Sequence, residues 1–438
     1  MPARDTARQG GKQAMDIDAL IRDPSLQALM PRLERLRDRR FSDLVDQQGH
    51  QYVDLVMEGG GMLGIALVGY TWALEQAGLR FLGLGGTSAG SINALLLAAL
   101  GPPAQAKGPQ LLQDLATLDF RGFVDGGRRS RRLIDAALEP DPSPWRLAWR
   151  AWRVRRLLKA RLGLNPGAVF QDWIHGVLAR EGVSTLEALQ ARLAESPPGL
   201  WNRRQNRLLE PHEARGRLAI VAADVASESK VVFPDHAALY FADPARADPA
   251  LFARASMSIP FFFEPLRLSV PQDDGAVRRW RDAVGYDAAQ EGGLPAQGIF
   301  VDGGVISNFP IHLFHNYSRI PTRPTFGVKL QQDERRRRID GPLSLFGAVF
   351  DSARHALDYD FLSNNHDYRQ LVQHIACRDV NWLDFSMDDR TRAALFREGA
   401  ARAVDFLERF DWEAYRELRS RLVFPTASAS TTGRMRMA

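Results

Sequence analysis

Ser88 stands at the centre of the pentapeptide Gly86-Thr87-Ser88-Ala89-Gly90, between the apolar runs Phe81–Leu84 and Ile92–Leu100. A serine at the apex of so tight a strand-to-helix turn holds its hydroxyl clear of the backbone, and glycines on both sides relieve the crowding. The helix that follows points the positive end of its dipole at that hydroxyl. This is the setting of a nucleophile. The same five residues also fit a glycine-bracketed turn with an N-cap serine, and they do not by themselves separate the two.

A serine hydroxyl attacks poorly until a base takes its proton. Asp302 is the base candidate: it ends the apolar run Gly298–Val301, and Gly303-Gly304 behind it lets other groups approach closely. Alone, it also fits a turn aspartate closing a strand. The third piece is Glu58-Gly59-Gly60-Gly61-Met62-Leu63-Gly64, ahead of a helical stretch. Backbone N–H groups of Gly59, Gly60 and Gly61 form a cradle for an anion, such as the oxyanion of a tetrahedral intermediate. Removing one such donor costs on the order of 10²–10³ in rate. The stretch also fits the G-x-G-x-x-G of a dinucleotide loop, but the next strand ends in Gly85-Gly86 rather than in an acid that would hold a ribose.

These pieces need a parallel sheet to bring them together. A strand at Tyr52–Met57, a helix at Ile65–Gln76 capped by Gly78, the elbow strand and the helix after it make two parallel strands with a right-handed crossover. Further strands are predicted at Leu218–Val225, Lys230–Pro234, Gly298–Val301 and Thr325–Leu330, and Asp248-Pro249 opens a helix. In parallel sheets, sites form at the carboxyl ends of strands, so all three motifs can converge there. Gln272 to Gln297 reads as an irregular surface excursion. Asp16–Gln48 reads as short helices broken near Pro24 and Pro31, and Leu343–Leu422 as amphipathic helices throughout. The first 15 residues and the tail after Pro425 read as disordered, and 334–340 as a charged loop.

A conventional triad needs a histidine. His312 and His315 fall in a predicted helix after Pro310, while His355, His366 and His374 lie in the C-terminal helices. Each reads as a packing or surface residue, which favours a two-residue Ser–Asp pair. No H-E-x-x-H or Cys/His pattern calls for a metal, and no cofactor is expected.

With 438 residues, 45% of them hydrophobic, the chain can bury a large core; its net charge is +5 and it has one cysteine, Cys377. No intramolecular disulfide is possible. No stretch approaches the ~20 apolar residues of a membrane span, and no secretory signal is evident, so a cytoplasmic, peripherally membrane-associated protein is expected. The basic charge is clustered. In Pro144–Leu164, Trp145, Trp149 and Trp152 recur at helical spacing, with Arg150, Arg153 and further arginines between them. A basic helix with a tryptophan stripe suits an anionic membrane surface. It suits equally a helix that packs its indoles inward, and no base-reading motif supports nucleic acid as a partner.

Taken in order, Gly59–Gly64, Gly86–Gly90 and Asp302–Gly304 resemble the three signatures of the patatin-like phospholipase family. The block Arg254-Ala255-Ser256-Met257-Ser258-Ile259-Pro260 and the continuation of Asp302 into Asn308 and Pro310 are similar to the same family. The likeness spans about Val53 to Leu330. It implies a three-layer α/β/α sandwich with a mostly parallel sheet, and hydrolysis of lipid acyl esters by a Ser88–Asp302 dyad, with Gly59–Gly61 as the oxyanion hole. Phospholipids or other acyl-ester lipids would be the substrates, and no oligomeric state is implied. The implied organisation is an N-terminal segment 1–50, a catalytic domain 51–331 with a basic insertion near 122–164, a C-terminal helical region 332–424 and a tail 425–438. Where the family usually carries Arg or Lys, this chain has Leu63, which predicts an altered preference for charged headgroups. The alternatives are an α/β-hydrolase-type Ser-His-Asp esterase and a catalytically silent lipid-binding scaffold.

Overall fold

The computed structural model describes residues 15–137, 139, 143–314, 316, 318–331, 352, 365–377 and 380–424. The expectations for the first fourteen residues, for 334–340 and for the tail from 425 lie outside the described residues, as do His315, His355 and the side chain of His366.

The strands that matter are β1 (Gln51–Met57), β2 (Leu79–Thr87), β3 (Arg217–Asp224), β4 (Ser229–Phe233), β5 (Leu266–Ser269), β6 (Gln297–Val301), β7 (Thr325–Gln331) and β8 (Val372–Ala376). At the centre of the sheet, β8, β7, β1, β2 and β3 lie side by side and mutually parallel. Antiparallel strands flank them: β4 and β6 both pair with β3, and β5 pairs with β6. Every residue of β1 and β2 is buried, so both faces of the centre are covered. The architecture is the α/β fold with a mostly parallel central sheet that the family resemblance implies.

Three helices frame the site: α1 (Gly64–Gln76), α2 (Ala89–Ala99) and, past the basic insertion, the short helix at Ala250–Ser256. The insertion forms a helical hairpin, Arg128–Ala137 followed by Pro144–Arg161. No helix among the described residues is long and apolar enough to cross a membrane.

Two expectations are corrected. The C-terminal region contains a strand as well as helices: Val372–Ala376 alternates between buried and more exposed positions and joins the open edge of β7. Five residues of period-two pattern bond better along a free sheet edge than in an isolated helical turn. The excursion at Gln272–Gln297 carries a helix, Ala276–Val284, because Trp280 is fully buried against Tyr240 with ring centroids 5.4 Å apart. As expected, the N-terminal segment forms short helices with breaks just ahead of Pro24 and Pro31, each proline standing in the first turn of the next helix.

Candidate active site

Strand register explains how residues 214 positions apart meet. Thr87, the last residue of β2, pairs with Val221 of β3. Val301, the last residue of β6, pairs with Ala223, two residues further along β3, but runs the opposite way. The two strands therefore approach end to end along one side of β3. The next residue of each, Ser88 and Asp302, turns into the gap between them.

There the Ser88 hydroxyl donates to Asp302 Oδ2 at 2.6 Å. Both side chains are almost wholly buried, at 1% and 3% exposure. Asp302 Oδ1 accepts the Gly304 N–H at 2.7 Å, and the Asp302 N–H donates to the Ser258 carbonyl at 2.8 Å, which fixes the carboxylate plane. A direct contact this short leaves no space for an imidazole between the two groups. The hydrogen bonds of described histidine rings go to other residues: His50 to Asp46 and Arg80, His175 to Asp248, His236 to the Val232 N–H, and His312 to Lys230.

Ser88 has φ +52° and ψ −123°, a conformation that L-residues rarely adopt and that costs of order 1–3 kcal/mol. Neighbouring bonds hold it there. Its N–H donates to Ser256 Oγ at 2.8 Å, and that hydroxyl donates onward to the Val221 carbonyl at 2.6 Å. Its carbonyl accepts from Ser91 Oγ at 2.6 Å. The elbow glycines are required by close approach: a Cβ on Gly86 would overlap the Gly90 carbonyl, and one on Gly90 would overlap the Met57 carbonyl. Met257 completes the wall, with its sulfur 3.2 Å from Ser88 Oγ.

The glycine loop lies against the serine. A Cβ on Gly59 would stand 2.9 Å from Ser88 Cβ and 2.5 Å from Asn308 Oδ1. Gly59 is bonded on both sides to Asn308, its N–H to the Asn308 carbonyl at 3.1 Å and its carbonyl from Asn308 Nδ2 at 3.2 Å. That donor is therefore engaged internally. The Gly60 and Gly61 N–H groups make no hydrogen bond to any described residue. Behind the loop, Glu58 is buried, with Oε1 2.8 Å from Lys329 Nζ and Oε2 accepting the Leu330 N–H at 2.6 Å. Lys329 in turn lies 4.6 Å above the Phe309 ring. Leu63 is wholly buried in the main hydrophobic core.

Sequence reasoning noted the block Arg254–Pro260 without giving any of its residues a task. In the structure Ser256, Met257 and Ser258 all touch Ser88 or Asp302. Arg254 anchors the block by donating to Ser258 Oγ, the Pro166 carbonyl and the Glu264 carbonyl at 2.6–2.7 Å. Burial pushes its pKa down to about 10, so it remains a cation at neutral pH. In the sequence the block is marked only by two serines close behind Arg254.

The tryptophan helix stands apart from this centre. Trp145, Trp149 and Trp152 are 86%, 57% and 60% exposed, while Val154 of the same helix is buried. Arg153 stacks 4.6 Å from the Trp149 ring and Arg155 4.0 Å from that of Trp152. The indoles do not pack inward.

A buried serine on a strained elbow, a carboxylate bonded to it and a glycine loop at its side define a class of serine hydrolase-like α/β folds. The family model of the patatin-like phospholipases matches residues 55–315, more than half of the chain, and the chain belongs to that family. The uncharacterised protein YqhO of Bacillus subtilis (strain 168) is 29% identical over 364 residues, which is 82% of this chain and all of that one. Among solved structures, VipD from Legionella pneumophila is similar at TM-score 0.40 and 17% identity, over 84% of this chain and 71% of that one. ExoU in its complex with SpcU, from the type III secretion system of Pseudomonas aeruginosa, is similar at TM-score 0.33 and 17% identity, over 82% and 51%. Both structural likenesses are loose.

Proposed function

We propose that this patatin-like protein is a lipid acyl hydrolase of the phospholipase A or lysophospholipase type, working through Ser88 and Asp302. The observation that carries the reading is the 2.6 Å hydrogen bond between the two side chains. Asp302 takes the hydroxyl proton as Ser88 Oγ adds to the ester carbonyl, then returns it to the alcohol that leaves. Water, deprotonated by the same carboxylate, cleaves the acyl-serine and restores both groups. The developing oxyanion is held by the Gly60 and Gly61 N–H groups, since Gly59 gives its own to Asn308. Three exposed indoles among arginines support docking on an anionic membrane, with Trp145, Trp149 and Trp152 at headgroup level and Arg150 and Arg153 facing lipid phosphate. Labelling by a fluorophosphonate, mapped by mass spectrometry, should mark Ser88 alone. On phospholipid vesicles and short acyl esters, Ser88→Ala and Asp302→Asn should each lower turnover on the order of 10³-fold or more. Equal turnover by wild type and both variants ends the proposal.

A further inference from the structure

The basic insertion does more than present a charged face: its two helices enclose a cleft. A cavity of about 200 Å³ is lined by Arg129 and Arg132 of the first helix and by Trp149, Arg150 and Arg153 of the second. It has room for several waters, hence for a phosphate and part of its hydration shell. A larger hollow of about 580 Å³ adjoins it, sharing Arg129 and Arg153 and adding Arg128, Arg156, Arg161, Ser130 and Asp125, whose carboxylate accepts the Gly167 and Val169 N–H groups.

Among the residues that line the smaller cleft there is no carboxylate. Arg161, which lines the larger hollow, reaches Glu264 at 3.2 Å, and Arg146 reaches Glu139 at 3.5 Å. Among the described residues, no carboxylate lies within ion-pair distance of Arg129, Arg132, Arg150 or Arg153. Arg150 is oriented by donating to the Arg132 carbonyl at 2.7 Å, and Arg153 by its stacking on Trp149. Ser130, 1% exposed, lines the larger hollow with a hydroxyl that has no partner among the described residues. Like charges gathered on two facing helices repel one another, and a polyanion between them relieves that repulsion.

We infer that the cleft between Arg128–Ala137 and Pro144–Arg161 is a phosphate clamp, and that its occupant is the phosphomonoester headgroup of an acidic membrane lipid. Guanidinium forks match a phosphomonoester, which offers three terminal oxygens and nearly two charges, better than a singly charged phosphodiester. The exposed indoles on the same helix select the lipid source, because they set the cleft at headgroup depth when the helix lies on a bilayer. This inference rests on the membrane-docking reading and adds a headgroup preference to it.

The test uses the full chain at physiological salt, in co-sedimentation with phosphatidylcholine vesicles carrying either phosphatidic acid or phosphatidylglycerol, adjusted to equal surface charge. The wild type should favour phosphatidic acid on the order of ten-fold. Arg132→Gln with Arg153→Gln should abolish the preference. Arg132→Lys with Arg153→Lys keeps the net charge but lacks the planar fork, and should retain phosphatidylglycerol binding while losing most of the preference. Circular dichroism melting curves check that each variant folds.

Equal wild-type binding to both vesicles, or a preference that survives both double substitutions, overturns the clamp and leaves membrane docking standing. Binding to neither vesicle overturns docking and clamp together. A melting temperature raised by glycerol 3-phosphate in the wild type alone, without any vesicle preference, would reassign the cleft to a soluble phosphate and overturn the lipid occupant.

Discussion

Asn308 holds the peptide of Gly59 from both sides, its carbonyl accepting the Gly59 N–H at 3.1 Å and its side-chain amide donating to the Gly59 carbonyl at 3.2 Å. The glycine loop is thereby tied to the segment that carries Asp302, so the proposed oxyanion cradle and the proposed base are held in one frame. Asn308→Ala should lower kcat on the order of 10–100-fold with little change in KM, since it loosens geometry without removing a reacting group. Steady-state kinetics on a soluble short-chain ester measures the split, and a changed KM with unchanged kcat would count against it.

Gly59→Ala probes the approach of loop and serine. Its methyl group would meet Asn308 Oδ1 at 2.5 Å and Ser88 Cβ at 2.9 Å. A forced displacement of this kind costs about 1–3 kcal/mol and should also remove activity. Urea unfolding together with the ester assay checks both. The contrast is Gly176→Ala, where a Cβ meets nothing within 4 Å and little change is expected.

Ser256 keeps the elbow satisfied by accepting the Ser88 N–H. Ser256→Ala leaves that buried N–H without its acceptor, at a cost of about 1–3 kcal/mol. The slower fluorophosphonate labelling of Ser88 that should accompany it distinguishes positioning of the proposed nucleophile from a loss of stability alone.

The pH dependence of stability should carry a mark of His312. Burial, and then Lys230 3.0 Å away, push its pKa down to about 4. The unfolded chain takes up this proton near pH 6.5, about where a free imidazole titrates. Between those two values the unfolded state binds more protons, so stability is fully present above about pH 6.5 and is lost as pH falls toward about 4. His312→Asn should flatten part of that acid limb in urea midpoints measured across the window. An unchanged slope would contradict the assignment.

Replacing Trp145, Trp149 and Trp152 together with Ala should leave the melting temperature nearly unaltered, because all three indoles are exposed. Co-sedimentation with anionic vesicles should fall several-fold at physiological salt. Unchanged co-sedimentation would remove this helix from the docking surface.

Local patterns carried much of this protein in the sequence. The elbow could be read because a strand, two glycines, a serine and an apolar helix are consecutive, and chain connectivity alone fixes how they bend. Asp302 could be singled out because glycines follow a strand-terminal acid, and α1 because its apolar run ends at Gly78, which adopts φ +82°. The tertiary structure decided what no local pattern can. Whether Asp302 reaches Ser88 depends on β6 meeting β2 end to end along β3, a matter of register between distant segments. Whether Gly59 offers its N–H depends on Asn308 arriving from 249 residues away. The three tryptophans could have packed inward at the same spacing; they face outward because Val154, on another side of the helix, is the residue buried. Residue types and their order set which chemistry was possible, and long-range strand pairing set which groups stand close enough to perform it.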